Sequence, residues 1–377
     1  MSETTLPPLL THFADLADPR VERTKHHKLL DILGIALCAT LSGADDFVAI
    51  EAFGHAKIDW LKTFLELPNG IPSHDTFGRV FAQLDPVMFA ECFGNWVAGI
   101  CPALNLRVIN IDGKTSRGSG SEGNKPLHLV SAWASEARLS LGQIAVEDKS
   151  NEITAIPQLL DILAVKGAIV TIDAMGTQKA IAEKIVEREA DYVLPVKENQ
   201  PHLFEDVEAM FARFIESDFT AFTHDMFSLE NKGHGRTEMR TVWVFTDIKE
   251  LRDWQLWKDL KSVVVVVREC CRDGKESVEV SYHISSKKDS AKAFYGYIRE
   301  HWGIENCCHW VLDVCFGEDD STVRQGHAPE NLSCLRRMAM AILRNSQGAK
   351  GGFATRRLIA GWNETYLETI LFADSAE

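Results

Sequence analysis

No apolar run in this sequence is long enough to cross a bilayer. The longest early stretch, Ile32 to Ala44, holds 13 residues between Asp31 and Asp45, against the roughly 20 that a spanning helix needs. The opening residues MSETTLPPLL show no basic start, apolar middle or small-residue cleavage site, so no secretory leader and no membrane partner are expected, and the reading is of a cytoplasmic protein. Nine cysteines include the neighbours Cys270-Cys271 and Cys307-Cys308 but no C-x-x-C spacing, which leaves no zinc ribbon or redox pair and points to free thiols. Internal repeats and low-complexity segments are also absent. So is a basic excess: the net charge of −14 argues against nonspecific adhesion to nucleic acid.

What the chain does have is size, apolar content and uneven charge. With 377 residues and 45% hydrophobic content it can bury a full core and accommodate two or three domains. Between Ser321 and Ala360, seven bases (Arg324, Arg336, Arg337, Arg344, Lys350, Arg356 and Arg357) stand against one acid, Glu330. From Glu300 to Asp320 there are six acids and no Lys or Arg. An acidic segment beside a basic one suits a metal site next to a phosphate track; ordinary solvated helix faces would give the same pattern.

Hydrophobic spacing orders the chain. Leu6 to about Ala103 reads as helical, with apolar residues at helical intervals through LLDILGIALCATL and DDFVAIEAFGHAKIDWLKTFLEL, forming a small all-helical domain. From Leu106 the period shortens. LRVINID, LHLVSAWAS and RLSLGQIAV read as an antiparallel meander, followed by a helix over Glu152 to Ala164, the buried strand AIVTID, a helix over Gln178 to Glu189 and the strand DYVLPVK. This order predicts an α/β fold: a mixed sheet covered by helices, like a ribonuclease-H core. After a helix near Pro201 to Ile215, the strands TEMRTVWVFT, SVVVVVRE and SVEVSYHIS mark a β-rich insertion over about 222–286, and helical spacing resumes at Ala291. The predicted divisions are 1–103, 104–346 with that insertion, and a helical tail over 347–377.

Asp112 ends the first core strand in INIDGKT, and Asp173 ends the later buried strand in VTIDAMG. Each carboxylate leaves the sheet at its rim, where open α/β sheets place ligands, and neighbouring strands would bring the two together. Either aspartate alone is more simply a turn or helix cap. Hard divalent cations take oxygen ligands, and a two-metal site shares a carboxylate, so a third acid is required. Glu305 in HWGIENCCHW is the candidate, placed on one helix face with Trp302 and His309; Asp313 and Glu318 are rivals, and an exposed helix acid is the simpler account of any one glutamate.

The strings INIDGKTSRGS, LHLVSAWASEARLSLGQIAVEDKSNEITAIPQLLD, GAIVTIDAMGTQKAIAEKIVEREADYVLPVKENQP and HWGIENCCHWVLDVCFGEDDSTVRQGHAPENLSCLRR resemble transposases of the ISAs1 insertion-sequence family, within the IS4-like DDE group, and H-repeat-associated proteins. The resemblance runs over nearly the whole chain. It implies a ribonuclease-H-like catalytic domain behind a helical DDE-associated domain, and a metal triad on Asp112, Asp173 and Glu305. It further implies Mg2+ (or Mn2+) as cofactor, DNA with terminal inverted repeats as substrate, and a homo-oligomer assembled on DNA. The Y-x2-R-x3-E-x6-K signature of the broader group, aligned on Glu305, falls on Ile298, His301 and Leu312, with Tyr297 and Arg299 nearby as substitutes. Glu198 in VKENQ stands where relatives carry glycine.

Other residues suit DNA contact. Lys114 and Arg117 follow the first aspartate, His234 and Arg236 lie in the GHGR run, and Arg324, Arg336 and Arg337 sit in the basic tract, all placed to hold phosphate or line a DNA backbone. Solvated turn residues are the alternative. Trp302 and Trp310 offer either a stacking surface for a flipped base or, as preferred here, core packing. The functional reading is metal-dependent DNA cleavage and strand transfer; the alternatives are a catalytically silent DNA-binding descendant and a host-adapted nuclease.

Overall fold

The computed structural model describes residues 6–100, 107–121, 123, 125–146, 151–233, 235–272, 274–346 and 348–373. Six helices come first: α1 (Pro8–Thr11), α2 (Leu29–Leu41), α3 (Phe47–Ala56), α4 (Ile58–Leu61), α5 (His74–Gln83) and α6 (Pro86–Ile100). Most of the apolar run, Ile32 to Leu41, lies in α2, which is buried at every residue except Leu30, as a helix without a polar face must be. Its one acid, Asp31, is satisfied there by the backbone N–H groups of Glu66 and Leu67 at 3.1 and 2.9 Å. No helix among the described residues is long and apolar enough to cross a membrane.

Nine strands make one sheet: β1 (Val108–Ser116), β2 (Leu127–Ala134), β3 (Leu139–Val146), β4 (Ile169–Ile172), β5 (Asp191–Val196), β6 (His224–Gly233), β7 (Arg236–Phe245), β8 (Ser262–Arg272) and β9 (Lys275–Ser285). Their order is β3-β2-β1-β4-β5-β9-β8-β7-β6. The first five reproduce the expected core, an antiparallel β1–β2–β3 meander with β4 and β5 added in parallel. Helices α7 (Glu152–Ile162), α8 (Lys179–Glu187) and α9 (Pro201–Glu216) punctuate the strands. Ile109, Ile111, Val170 and Ile172 share a core with Ile156 and Leu159 of α7 and Ile181 and Ile185 of α8.

The β-rich segment extends this sheet. β9 pairs antiparallel with β5, Val193 opposite Ser285, so β6 to β9 form its outer half. β6 is not among the expected strands, because HDMFSLENKG lacks a buried alternating face: it is an edge strand, exposed at nearly every position. The chain then forms α10 (Ala291–Ile304), a π-helical turn (Glu305–His309), α11 (Trp310–Phe316), α12 (Ala328–Asn345), α13 (Phe353–Trp362) and α14 (Glu364–Leu371). α12 packs on α2, α5, α6 and β3 together, which joins the N-terminal helices and the sheet in a single core.

Candidate active site

β1 and β4 run in parallel with Asn110 opposite Thr171 and Ile111 opposite Ile172, so Asp112 and Asp173 leave the ladder side by side. Alternate residues of a strand face one side of the sheet, and Val108, Asn110 and Asp112, with Ile169, Thr171 and Asp173, face α10. Val108 and Ile169 pack there against Ala291, Phe294 and Tyr297. One step along, Thr171 Oγ1 lies 2.9 Å from His301 Nδ1. One turn further is Glu305, the third acid.

The charges of Asp173 and Glu305 both reach the Asp112 carboxyl. Asp112 is pushed up to about 7, first by burial, then by the charge of Asp173 and, more weakly, by those of Glu305 and Glu152, against a backbone hydrogen bond from Gly113. Among the described residues none of the three pairs with a Lys or Arg. Asp173 accepts a hydrogen bond from the Gly176 N–H at 3.0 Å, capping the turn that carries it off the sheet. His309 Nδ1 lies 3.5 Å from Asp112, but burial, with the charges of Arg337 and Lys114, pushes this imidazole down to about 3, so it brings no counter-charge. Among the described residues no three His, Cys, Asp or Glu side chains are already grouped closely enough to hold a metal. The donor set nonetheless fits a hard divalent ion: hard oxygen ligands bearing unbalanced negative charge.

Several expectations need correction. Glu305 opens a π-helical turn that runs to His309, a feature that changes side-chain spacing and recurs at functional sites. His309 is buried, whereas Trp302 and Trp310 are 54% and 58% exposed and do not pack in the core; they project with Val314 from the outer face of α10 and α11. The rivals to Glu305 are committed elsewhere. Lys114 Nζ binds Asp313 at 2.6 Å and Glu318 at 2.8 Å, so Lys114 is held inside the protein and does not present its charge to phosphate. Arg336 and Arg337 do not line a surface either: both are buried, Arg337 on Glu318 and Arg336 on the Asp45 carbonyl. The basic tract is thus largely spent on interior acids and carbonyls. Arg117 and Arg324 remain outside, Arg324 donating to the Gly118 carbonyl at 3.0 Å, and Arg299 and Arg236 are exposed on α10 and β7. His234 lies outside the described residues.

The turn after β5 explains the VKENQ string. Asn199 donates to the Ala174 carbonyl at 2.8 Å and Gln200 to that of Thr177 at 2.9 Å, tying this turn to the one carrying Asp173. Glu198 is exposed and is not among the residues with positive φ, so the position does not require glycine. Gly113 does answer a demand. A Cβ there would come within 2.6 Å of Glu152 Cδ and 2.9 Å of His128 Nε2, on the buried pair whose Nε2 and Oε1 are 2.6 Å apart. Gly113→Ala should therefore destabilise the protein by about 1–3 kcal/mol through overpacking, read as a lowered urea midpoint; an unchanged midpoint would show that α7 yields freely.

Two family models match this chain: the transposase DDE domain over residues 104–342 and the domain associated with it over residues 10–97. The chain belongs to the DDE transposase family. A protein of Escherichia coli O157:H7 provisionally named transposase YncI is 41% identical over 369 residues, covering 96% of this chain and 94% of its own. The H repeat-associated protein YhhI of Escherichia coli K12, also provisionally named a transposase, is 40% identical over 96% of this chain and 97% of its own. Among solved structures, a piggyBac transposase synaptic complex with hairpin DNA covers 99% of this chain, and this chain 83% of it, at a TM-score of 0.42 and 11% identity, a distant likeness. As a DDE transposase the protein is a DNA-cleaving and DNA-transferring enzyme of a family that uses divalent metals.

Proposed function

We propose that Asp112, Asp173 and Glu305 hold two divalent ions, Mg2+ with Mn2+ as substitute, and that the enzyme cuts and rejoins the ends of an insertion sequence by in-line displacement at phosphorus. The raised Asp112 carries this reading: a carboxyl pushed up by burial and three like charges, with no basic partner among the described residues, is a charge deficit that a divalent cation relieves. When bound, such ions ease deprotonation of the attacking hydroxyl and stabilise the leaving oxygen. The chain's own part is placement. Two adjacent strands hold the aspartates, a helix across the sheet face brings the glutamate, and the sequestered Lys114 leaves the carboxylates unneutralised.

In this reading Arg117 and Arg324, beside Gly118, hold backbone phosphates, with Arg299 and Arg236 as outer contacts. The exposed rings of Trp302 and Trp310 offer π faces to a base. Terminal inverted repeats as substrate, assembly of a homo-oligomer on DNA, and the division into 1–103, 104–346 and 347–377 belong to the same proposal. Asp112→Asn, Asp173→Asn and Glu305→Gln, assayed with Mg2+ on DNA carrying the element's ends, should each lose cleavage and joining while still binding DNA. Cleavage by all three would exclude the assignment, and cleavage without joined products in the wild type would favour a nuclease.

A further inference from the structure

We infer that His301 is a positioning residue: its bond to Thr171 fixes the register of α10 on β1 and β4, and thereby sets where Glu305 stands against Asp112 and Asp173. The inference rests on the carboxylate reading above and deepens it. Between the apolar contact and the acids lies one closed polar network. Asn110, fully buried, donates from Nδ2 to Ser135 Oγ at 2.6 Å and to the Glu300 carbonyl at 2.8 Å. Its Oδ1 accepts from Thr171 Oγ1 at 2.7 Å. The threonine hydrogen is then used, so Thr171 Oγ1 must accept from His301, and the proton of His301 sits on Nδ1. The charge of Asp173 reaches the same imidazole, which places it against the site.

The spacing makes this contact decisive. Two strand residues advance about 6.6 Å and four helix residues about 6 Å, so the step from Asn110 and Thr171 to Asp112 and Asp173 matches the step from His301 to Glu305. Once His301 is set on Thr171, Glu305 is set on the aspartates. The apolar contacts of Phe294 and Tyr297 supply adhesion without direction, and would tolerate a slip of one residue, about 1.5 Å. Hydrogen bonds to Asn110, Ser135 and Thr171 would not. Beyond Ile304 the helix turns π-helical, so the regular α-helical ladder does not carry this register past Glu305.

Mn2+ binding to the full-length protein, followed by the electron paramagnetic resonance of the free ion, tests the role. Wild type, Asp112→Asn, His301→Phe, His301→Asn and Thr171→Val are compared, with DNA binding and thermal unfolding measured alongside. His301→Phe keeps the ring volume and removes the donor, and Thr171→Val removes its acceptor. Both should weaken Mn2+ binding by about 10–100-fold, the range for residues that orient metal ligands, with DNA affinity unchanged. His301→Asn, whose amide nitrogen overlies Nδ1, should bind close to wild type. If Asp112→Asn binds Mn2+ as wild type does, the carboxylate reading falls and this inference with it. If Asp112→Asn loses binding while Thr171→Val and His301→Phe keep it, the positioning role alone is overturned. Should His301→Phe fail to fold, Thr171→Val with its rescue partner His301→Asn decides.

Discussion

Arg337→Met should destabilise the protein by about 3–5 kcal/mol, the cost of leaving a buried charge without its partner. Arg337 is fully buried and Glu318 nearly so, their Nη1 and Oε1 atoms 3.1 Å apart. Ser333 donates to Glu318 at 2.6 Å and also contacts Arg337, and Arg337 Nη2 reaches Ser131 at 3.3 Å. Although burial opposes ionisation of Glu318, Arg337 and then Lys114 hold its carboxyl well below the usual carboxylate range. A depressed folded-state pKa gives stability that is present above the ordinary glutamate value and lost only as pH falls through the folded one, so the network is intact at neutral pH. Without the guanidinium, Glu318 is left with Lys114, which it shares with Asp313, and the more weakly acting charge of Arg336. Since whole-protein stability is typically about 5–15 kcal/mol, the variant should show a much lower urea midpoint or fail to accumulate. Replacing both partners, Arg337→Met with Glu318→Leu, should cost less than the two single changes combined. A single Arg337→Met within about 1 kcal/mol of wild type would show that water enters this interior, contrary to its burial.

The same residues show where sequence reasoning reaches and where it stops. The five core strands and their order are legible because period-two apolar patterns and short polar links survive in one dimension. Asp173 directly follows its strand as expected, whereas Asp112 does not end its own: β1 continues to Ser116, paired with β2, and Asp112 marks only where the pairing of β1 with β4 stops. The charge tract misleads: Arg336, Arg337 and Arg357 look like a surface for DNA, but an arginine in an amphipathic helix carries no mark of which acid will meet it. Glu318 and Asp45, their partners in space, lie far away or look like loop acids. β6 escapes because an edge strand needs no buried face. Trp310 escapes because it follows a π-helical turn, which no simple residue pattern announces, and Trp302 because a large aromatic residue is read as core by default although here it is exposed. Asn110, Thr171 and His301 escape as well, yet a signal exists for them. Polar residues two before each aspartate and one turn before the glutamate share the faces of the acids, so a search at those offsets returns all three.

Asp112→Asn is expected to change activity and stability in opposite directions. On the proposed assignment the substitution takes away a metal ligand, and cleavage should fall by at least about 10³-fold, on the scale of losing one preorganised electrostatic group. The metal-free protein should become more stable. The Asp112 carboxyl has a folded-state value of about 7 against 3.8 when free of the fold, so burial and the charges of Asp173 and Glu305 penalise its ionised form. For an acid shifted upward the penalty is absent below the ordinary value, grows as pH rises and is complete above the folded one. At pH 8 the wild type bears nearly all of this penalty and the asparagine variant none, a difference of a few kcal/mol before the coupled titration of Asp173 is allowed for. At pH 4 the two should nearly coincide. Added Mg2+ relieves the wild type by binding the folded state and should leave the variant almost unmoved, so the two melting temperatures approach each other with metal and separate without it. Thermal unfolding at pH 4 and pH 8, each with and without Mg2+, measures all of this. An Asp112→Asn protein less stable than wild type at pH 8 in chelator would mean that the carboxylate is already balanced by a partner, and that the three acids are not the charge-deficient site described.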